Sequence, residues 1–284
     1  MKKRKVIMKI KLIGIDFDGT LLNDKKEIPL LNVEMIKKAT EKGVMIALTT
    51  GRPINDVTQG YHRQLGIFKP GHPFIAYNGA AVMDITNGDF IIKHELGLSD
   101  VKEIFAHAEK YNAVCYAYRN DALLYNFLND FIWEEKIFND TVFKPIDLNA
   151  LTDDFKCFKV MFAESPELLD RMEKEMPEEL KNKYTILRSL DHFLEFIPKC
   201  ADKWTALKSV GELYGIKEDE IMAIGDSMND YSFKNAKYSV AMVNAVPGIK
   251  EAFKYQTTLN NNEGGVGQII RDMVLTDRPK QFCQ

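Results

Sequence analysis

The chain has 284 residues, with 38 Lys and Arg against 41 Asp and Glu, a formal net charge of −3, and 45% hydrophobic and 28% charged residues. This balance is ordinary for a soluble globular protein. It allows one large domain or two ordinary ones and gives no broad electrostatic pull toward nucleic acid or anionic membranes.

The four cysteines (Cys115, Cys157, Cys200 and Cys283) form no Cys-x-x-Cys pair, and the five histidines show no metal-ligand spacing. Reduced structural thiols in a cytoplasmic protein are expected, and no zinc site. Lys2, Lys3, Arg4 and Lys5 read as a short solvated tail. The apolar residues after them are too few and too interrupted for a signal peptide, and no run reaches transmembrane length.

The stretch the rest of the chain is organised around is LIGIDFDGTLL, from Leu12 to Leu22. It opens as the short apolar run of a buried parallel strand, then breaks into two acids one residue apart. In a continuing strand Asp16 and Asp18 would share a face, and two unpaired buried carboxylates are costly. The strand is therefore expected to end near Asp16, with Gly19 supplying backbone freedom for a sharp exit. Both acids then stand at the carboxyl end of a central strand, where open α/β sheets bind ligands. Clustered carboxylates repel unless a cation lies between them, and hard oxygen donors suit Mg²⁺.

Apolar spacing predicts a helix over 30–42 and a second buried strand over 44–48, which ends in Thr49-Thr50-Gly51-Arg52-Pro53. A helix over 54–65 and a third strand over 74–77 follow, the latter ending in Asn78-Gly79. Strands alternating with helices through short links argue for a parallel α/β sheet.

After about Asp84 the pattern changes. Asn87-Gly88 marks a hairpin turn before Phe90-Ile91-Ile92, and Asp100 with Glu103 marks a helix start for 101–111. Segments 114–118 and 122–126 bracket Arg119-Asn120-Asp121 as a hairpin. Residues 127–138 form an aromatic-rich helix whose rings are expected in a core. A strand over 158–162, a helix opened by Ser165-Pro166, and strands over 184–187 and 193–197 complete an α+β segment.

The opening style then returns. A helix starts at Lys203, and a strand over 221–224 ends in Gly225-Asp226-Ser227-Met228-Asn229-Asp230. A strand over 238–241 and helices over 249–253 and 267–274 close the chain. The fold class expected is α/β: a Rossmann-like parallel-sheet core from residues 1–84 and 198–284, with residues 85–197 inserted as an α+β cap domain.

Asp16-Phe17-Asp18, Thr50-Gly51-Arg52, Lys203, and Asp226 with Asn229-Asp230 each adjoin an apolar element, so a parallel sheet could gather them along one edge. Their types fit phosphoryl transfer. A carboxylate can take the phosphoryl group, a second can protonate the leaving oxygen and then activate water, and a hydroxyl and an ammonium can hold phosphoryl oxygens.

These four groups resemble the four motifs of the haloacid dehalogenase-like superfamily. Asn78-Gly79-Ala80 and the large insertion are similar to the Cof-type phosphatases, which carry a subclass IIB cap. The resemblance implies Asp16 as nucleophile and Asp18 as general acid/base. It implies Thr50, the Gly51 amide, Lys203 and Asn229 as the phosphoryl cradle. Mg²⁺ would be bound by Asp16, the Asp18 backbone carbonyl and Asp226. Asp230 would stand behind these ligands, orienting Lys203 or a metal-bound water, with Arg52 and Asn78 toward substrate.

Taken alone, Lys203 also fits a solvated helix lysine, Thr50 a helix N-cap, Asn78 a turn former and Arg52 a residue that only stabilises its loop. Tyr231-Ser232-Phe233 and Val243 depart from the family's usual pattern beside the fourth motif. The expected function is a Mg²⁺-dependent phosphatase of small phosphorylated metabolites, sugar phosphates first and phosphorylated cofactors next. A sugar phosphomutase using the same phosphoenzyme, and a sugar-phosphate sensor with incidental hydrolysis, are the alternatives the motifs leave open.

Overall fold

A computed structural model describes residues 10–119, 122–139 and 141–276, apart from the side chain of Phe138. The Lys2–Lys5 tail, the Asn120-Asp121 turn and Cys283 lie outside the described residues.

The chain begins with β1 (Leu12–Asp16), α1 (Leu30–Glu41), β2 (Met45–Thr49), α2 (Asp56–Gln64), β3 (Phe74–Ala76), β4 (Ala81–Met83) and β5 (Phe90–Lys93). The middle third holds β6 (Leu96–Gly97), α3 (Leu98–Glu109), β7 (Cys115–Tyr118), β8 (Leu123–Tyr125), α4 (Asp130–Asn139) and β9 (Phe143–Pro145). It continues with β10 (Lys156–Cys157), β11 (Lys159–Ala163), α5 (Pro166–Lys174), α6 (Glu178–Lys183), β12 (Tyr184–Leu190) and β13 (Phe193–Pro198). Last come α7 (Lys203–Leu213), β14 (Ile221–Gly225), β15 (Tyr238–Ala241), α8 (Pro247–Ala252), β16 (Tyr255–Gln256) and α9 (Gly265–Met273).

One sheet has eight strands in the order β16-β15-β14-β1-β2-β3-β4-β5. From β16 to β3 the pairs are parallel, and β4 and β5 add antiparallel pairs at one edge. Every residue of β1 and β14 is buried, which is why both read as unbroken apolar runs rather than alternating ones. This sheet continues to Lys93, nine residues past the change of composition at Asp84.

The second large sheet has the order β12-β13-β11-β7-β8-β9, antiparallel except for β8 with β9. Its strands alternate with period two. Cys115, Ala117, Val160, Phe162, Leu194 and Phe196 pack into a separate hydrophobic cluster with α3 and α5. Tyr116, Tyr118, Met161, Phe193 and Ile197 join the cluster of the first sheet instead. Tyr77, just after β3, stacks on Phe158 with ring centroids 4.5 Å apart and ties the two units together.

Two local expectations are corrected. Asp100 does not open its helix: α3 starts at Leu98, and Asp100 accepts a hydrogen bond from the Gly97 N–H at 2.8 Å. The 127–138 aromatics are not uniformly core, since Phe127 is 38% and Trp133 42% exposed. The inward stripe of α4 is held by Ile132, Glu135 and Asn139, spaced at helical repeat, so Trp133 turns outward.

His62 on α2 is fully buried, edge-on to Phe74 at 4.8 Å, with Nδ1 3.4 Å from the Thr58 carbonyl and no partner for Nε2 among the described residues. Burial pushes its imidazole down to about 3, with the Thr58 carbonyl pulling weakly the other way. Above pH ~6.5 the ring is neutral in both folded and unfolded chains and contributes no pH dependence. Below that, the unfolded chain takes a proton the folded one refuses, so stability falls with pH until about 3. Melting temperature should therefore drop through this window, and His62→Leu should flatten the drop. An identical slope in the variant would assign the acid sensitivity to other groups.

Candidate active site

The parallel strands β14, β1, β2 and β3 lie side by side, so their carboxyl ends form one edge. Asp16 is the last residue of β1, Thr50 follows β2, Asn78 follows β3 and Asp226 follows β14. Backbone bonds lock these ends together: the Thr50 N–H donates to the Ile75 carbonyl, and the Asn78 N–H to that of Thr50, both at 2.9 Å.

Two glycines make the close approaches possible. Gly19 has φ +74°, and a Cβ there would meet Asp226 Oδ2 at 2.4 Å. Gly79 has φ +96°, and a Cβ there would meet the Asp202 carbonyl oxygen at 2.3 Å. Gly79 thus lets the start of α7 press against the sheet edge. Asp202 caps α7 by accepting from the Thr205 N–H at 2.9 Å. Lys203, the first residue of α7, is delivered into the interior rather than to solvent.

Lys203 is 0% exposed. Its Nζ donates to Asp16 Oδ1 and to Asp230 Oδ1, each at 2.6 Å. The other oxygen of Asp230 accepts from the backbone N–H groups of Asp226, at 3.0 Å, and Ser227, at 3.3 Å. Asp230 therefore braces both the lysine and the loop after β14. Thr20 donates to Asp226 Oδ1 at 2.7 Å. One carboxylate oxygen from each of Asp16, Asp226 and Asp230 lies within 4.8 Å of the others.

Three acids against one ammonium leave the cluster with excess negative charge. Burial first, and then repulsion from Asp230, raises Asp16 well above the usual carboxylate range and Asp226 to about 7. Burial alone would lower the Lys203 ammonium, but the Asp16 and Asp230 charges outweigh it and hold it firmly protonated.

Asp18 stands apart from this cluster. Its carboxylate accepts from Arg52 Nε at 2.7 Å and a terminal Arg52 nitrogen at 2.5 Å, and from Lys26 Nζ at 2.7 Å. Desolvation would raise its pKa, but these hydrogen bonds and charges outweigh it and lower it. Thr50 is not a helix cap: Asn55 caps α2, and the Thr50 hydroxyl accepts from the Arg52 N–H at 3.1 Å. Asn78 donates to Glu195 Oε2 at 3.0 Å and accepts from Asn229 at 3.1 Å, so both asparagines bind protein groups here. Tyr77, Asn78 and Gly79 hold three successive positive φ angles, 51°, 56° and 96°, a strained turn that aims Asn78 between them. Ser232, one of the departures beside the fourth motif, accepts from the Trp204 N–H at 3.2 Å and supports α7.

A cavity of about 470 Å³ opens above this edge. Asp16, Asp18, Thr50, Gly51 and Arg52 line it from the first sheet. Glu134, Glu135, Asn139, Lys159, Phe193 and Glu195 line it from the second unit. Of these last, Lys159 and Glu195 left a trace in the sequence: each is a charged residue inside an otherwise apolar strand run. They pair at 3.1 Å with side chains 4% exposed, and Lys159 also donates to the Gly51 carbonyl at 3.1 Å. Glu135 and Asn139 gave no sequence signal, because acids and amides on a helix ordinarily face solvent.

The sequence profile of the haloacid dehalogenase-like hydrolases matches residues 13–270. The chain belongs to this family. Among haloacid dehalogenase-like proteins, it is 35% identical over 272 residues to "Putative phosphatase YxeH" of Bacillus subtilis, covering 93% of this chain and 98% of that one. It is 31% identical over 294 residues to 5-amino-6-(5-phospho-D-ribitylamino)uracil phosphatase YwtE of the same organism, covering 93% and 98%. A haloacid dehalogenase-like hydrolase from Bacteroides thetaiotaomicron superposes with a TM-score of 0.82 at 29% identity, covering 93% of this chain and 99% of that one. By family and relatives, this haloacid dehalogenase-like chain is a phosphatase enzyme. No helix among its described residues is long and apolar enough to cross a membrane.

Gly79→Ala should be destabilising by more than about 1 kcal/mol, since it adds both a left-handed penalty and a clash with the Asp202 carbonyl. Urea denaturation measures this. A neutral outcome would mean that the start of α7 can withdraw without cost.

Proposed function

We propose that this chain is a Mg²⁺-dependent phosphatase of small phosphorylated metabolites, working through an aspartyl-phosphate on Asp16. The observation that carries the reading is the excess of buried negative charge around Lys203 at the floor of the cavity. Hard carboxylate oxygens, three acids to one ammonium, and carboxyl groups pushed up by burial and then by mutual repulsion are a donor set that fits Mg²⁺. Asp16, Asp226 and the Asp18 backbone carbonyl would hold it, and when bound it offsets charge on the phosphoryl oxygens.

Asp16, at the cavity floor, attacks phosphorus. The bond to the leaving oxygen breaks, and that oxygen takes a proton from Asp18. Water that gives its proton back to Asp18 then attacks phosphorus, freeing phosphate and restoring Asp16. Lys203 and Thr50, with the Gly51 amide and Asn229, hold the phosphoryl oxygens. Asp230 keeps Lys203 charged and in place. Asp18 is bound to Arg52 and Lys26, so its acid role requires those contacts to be given up as substrate enters. Arg52 is then available to the substrate. In this reading the inserted unit, which starts after β5 rather than at residue 85, acts as a cap that closes over the cavity and excludes bulk water.

Sugar phosphates are the substrate class favoured. A cavity of about 470 Å³ suits a small molecule, and one relative is named for a phosphate carried on a ribityl chain.

Phosphate release from a panel of phosphorylated metabolites should require Mg²⁺, stop with chelator, and fall at least about a thousandfold in Asp16→Asn. Release without any bisphosphate activator separates hydrolysis from a mutase. Full activity in Asp16→Asn would remove it as nucleophile. Independently of activity, Mg²⁺ at ~100 times its dissociation constant should stabilise the wild type by about 2.7 kcal/mol. Asp226→Asn should lose most of that gain, measured by thermal denaturation. An undiminished gain would place the ion elsewhere.

A further inference from the structure

Two charged side chains of the second unit reach into the loops that carry the phosphate-holding groups. Lys159 on β11 and Glu195 on β13 are each 3% exposed and pair at 3.1 Å. From them run two hydrogen-bond chains, each of which can be followed donor by donor.

The first chain runs through Glu195. A carboxylate can only accept, so the Asn78 amide must turn its Nδ2 toward Glu195 Oε2, at 3.0 Å. Its Oδ1 then faces Asn229, whose Nδ2 donates to it at 3.1 Å. Asn229 is held at its other end, where Oδ1 accepts from the Ser227 hydroxyl at 2.7 Å. Its NH2 group keeps a second hydrogen for a phosphoryl oxygen. Asn78 has little room to move: it is 2% exposed with φ at +56°, and its Oδ1 lies 3.0 Å from where a Cβ on Gly51 would stand.

The second chain runs through Lys159. An ammonium can only donate, and Lys159 gives one hydrogen to Glu195 and another to the Gly51 carbonyl, each at 3.1 Å. That carbonyl shares a rigid peptide plane with the Arg52 N–H, which donates to the Thr50 hydroxyl oxygen at 3.1 Å. Accepting there, the Thr50 hydroxyl keeps its own proton for the cavity it lines.

Reversing the polarity at Glu195 would propagate. With a donor at that position Asn78 could present its oxygen there, its Nδ2 would face Asn229, and Asn229 would answer with its own oxygen. An oxygen in that place repels the phosphoryl group that an NH2 group holds.

We propose that Lys159 and Glu195 are positioning residues for the phosphoryl cradle: they fix the polarity of both chains, so that the Asn229 amide and the Thr50 hydroxyl present donors to the transferring group. This rests on the phosphatase reading above and adds that the seating of the second unit prepares the phosphate end of the site. Because the pair acts on the phosphoryl group, its effect is the same for every leaving group.

The test uses sorbitol phosphate, phosphoglycerate and para-nitrophenyl phosphate as substrates, and inorganic phosphate as a ligand whose affinity in the presence of Mg²⁺ is read by calorimetry. Glu195→Gln keeps the shape and lets the chain run either way. It should lower kcat/KM about tenfold on all three substrates alike and weaken phosphate binding to a similar degree, the value of one lost hydrogen bond. Adding Asn78→Asp moves the donor to position 195 and restores an acceptor toward Asn229, so the double variant should recover most of the loss. Lys159→Met, which removes the donor of the second chain, should also lower all three substrates alike. Should either single variant fail to fold by circular dichroism, the other decides. A loss confined to some of the substrates makes the pair a leaving-group contact and overturns the proposal. So do unchanged rates, or a loss in Glu195→Gln that Asn78→Asp does not recover. Release from none of the three substrates, with phosphate still bound and bound more weakly in Glu195→Gln, overturns the hydrolase and supports the positioning role.

Discussion

Three carboxylates drawn around one buried ammonium set the terms for the rest of the molecule. Burying charge is expensive, and Asp16, Asp230 and Lys203 are nearly or fully sealed from solvent. Such a cluster persists only if the backbone leaves it no alternative. Here that constraint comes from neighbouring parallel strands, whose ends lie one strand spacing apart, and from a helix start pushed against them where Gly79 lacks a Cβ. Removing Lys203 would strand the acids; removing Asp230 would release the lysine and unhook two amides of the next loop.

A second buried network joins the two sheets. It runs from Ser227 through Asn229, Asn78 and Glu195 to Lys159 and the Gly51 carbonyl. The Lys159–Glu195 pair is a poor source of net stability, because desolvation consumes most of its Coulomb energy. Its geometric effect is larger. It fixes how the second sheet sits over the loops after β2, β3 and β14.

Much of this could be read from the residues. The apolar runs that break into acids, Ile15-Asp16 and Ile224-Gly225-Asp226, located the sheet edge because a fully buried strand must shed its charge at its end. Lys203 was ambiguous: alone it looks like any helix lysine, and only the tertiary approach made by Gly79 buries it. Asp18 was legible as an acid at the sheet edge but not as an ion pair, since nothing local indicates that Arg52, 34 residues on, closes on it. Asn78 drew attention through its glycine neighbour, but its bridging contacts depend on Glu195, 117 residues away. The aromatic helix misled because composition without phase cannot say which stripe faces inward. α4 gives that stripe to Glu135 and Asn139 and leaves Trp133 outside.

The strict alternation of the cap strands separates two tasks on opposite sides of one sheet. Cys115, Ala117, Val160, Phe162, Leu194 and Phe196 hold the unit together from behind. Lys159 and Glu195, interleaved with them, line the cavity, and Tyr116 and Tyr118 on the same face pack into the cluster of the first sheet. A single-residue insertion would exchange the two sets and ruin both. Such a sheet is open to evolutionary drift by point substitution, and closed to change in length.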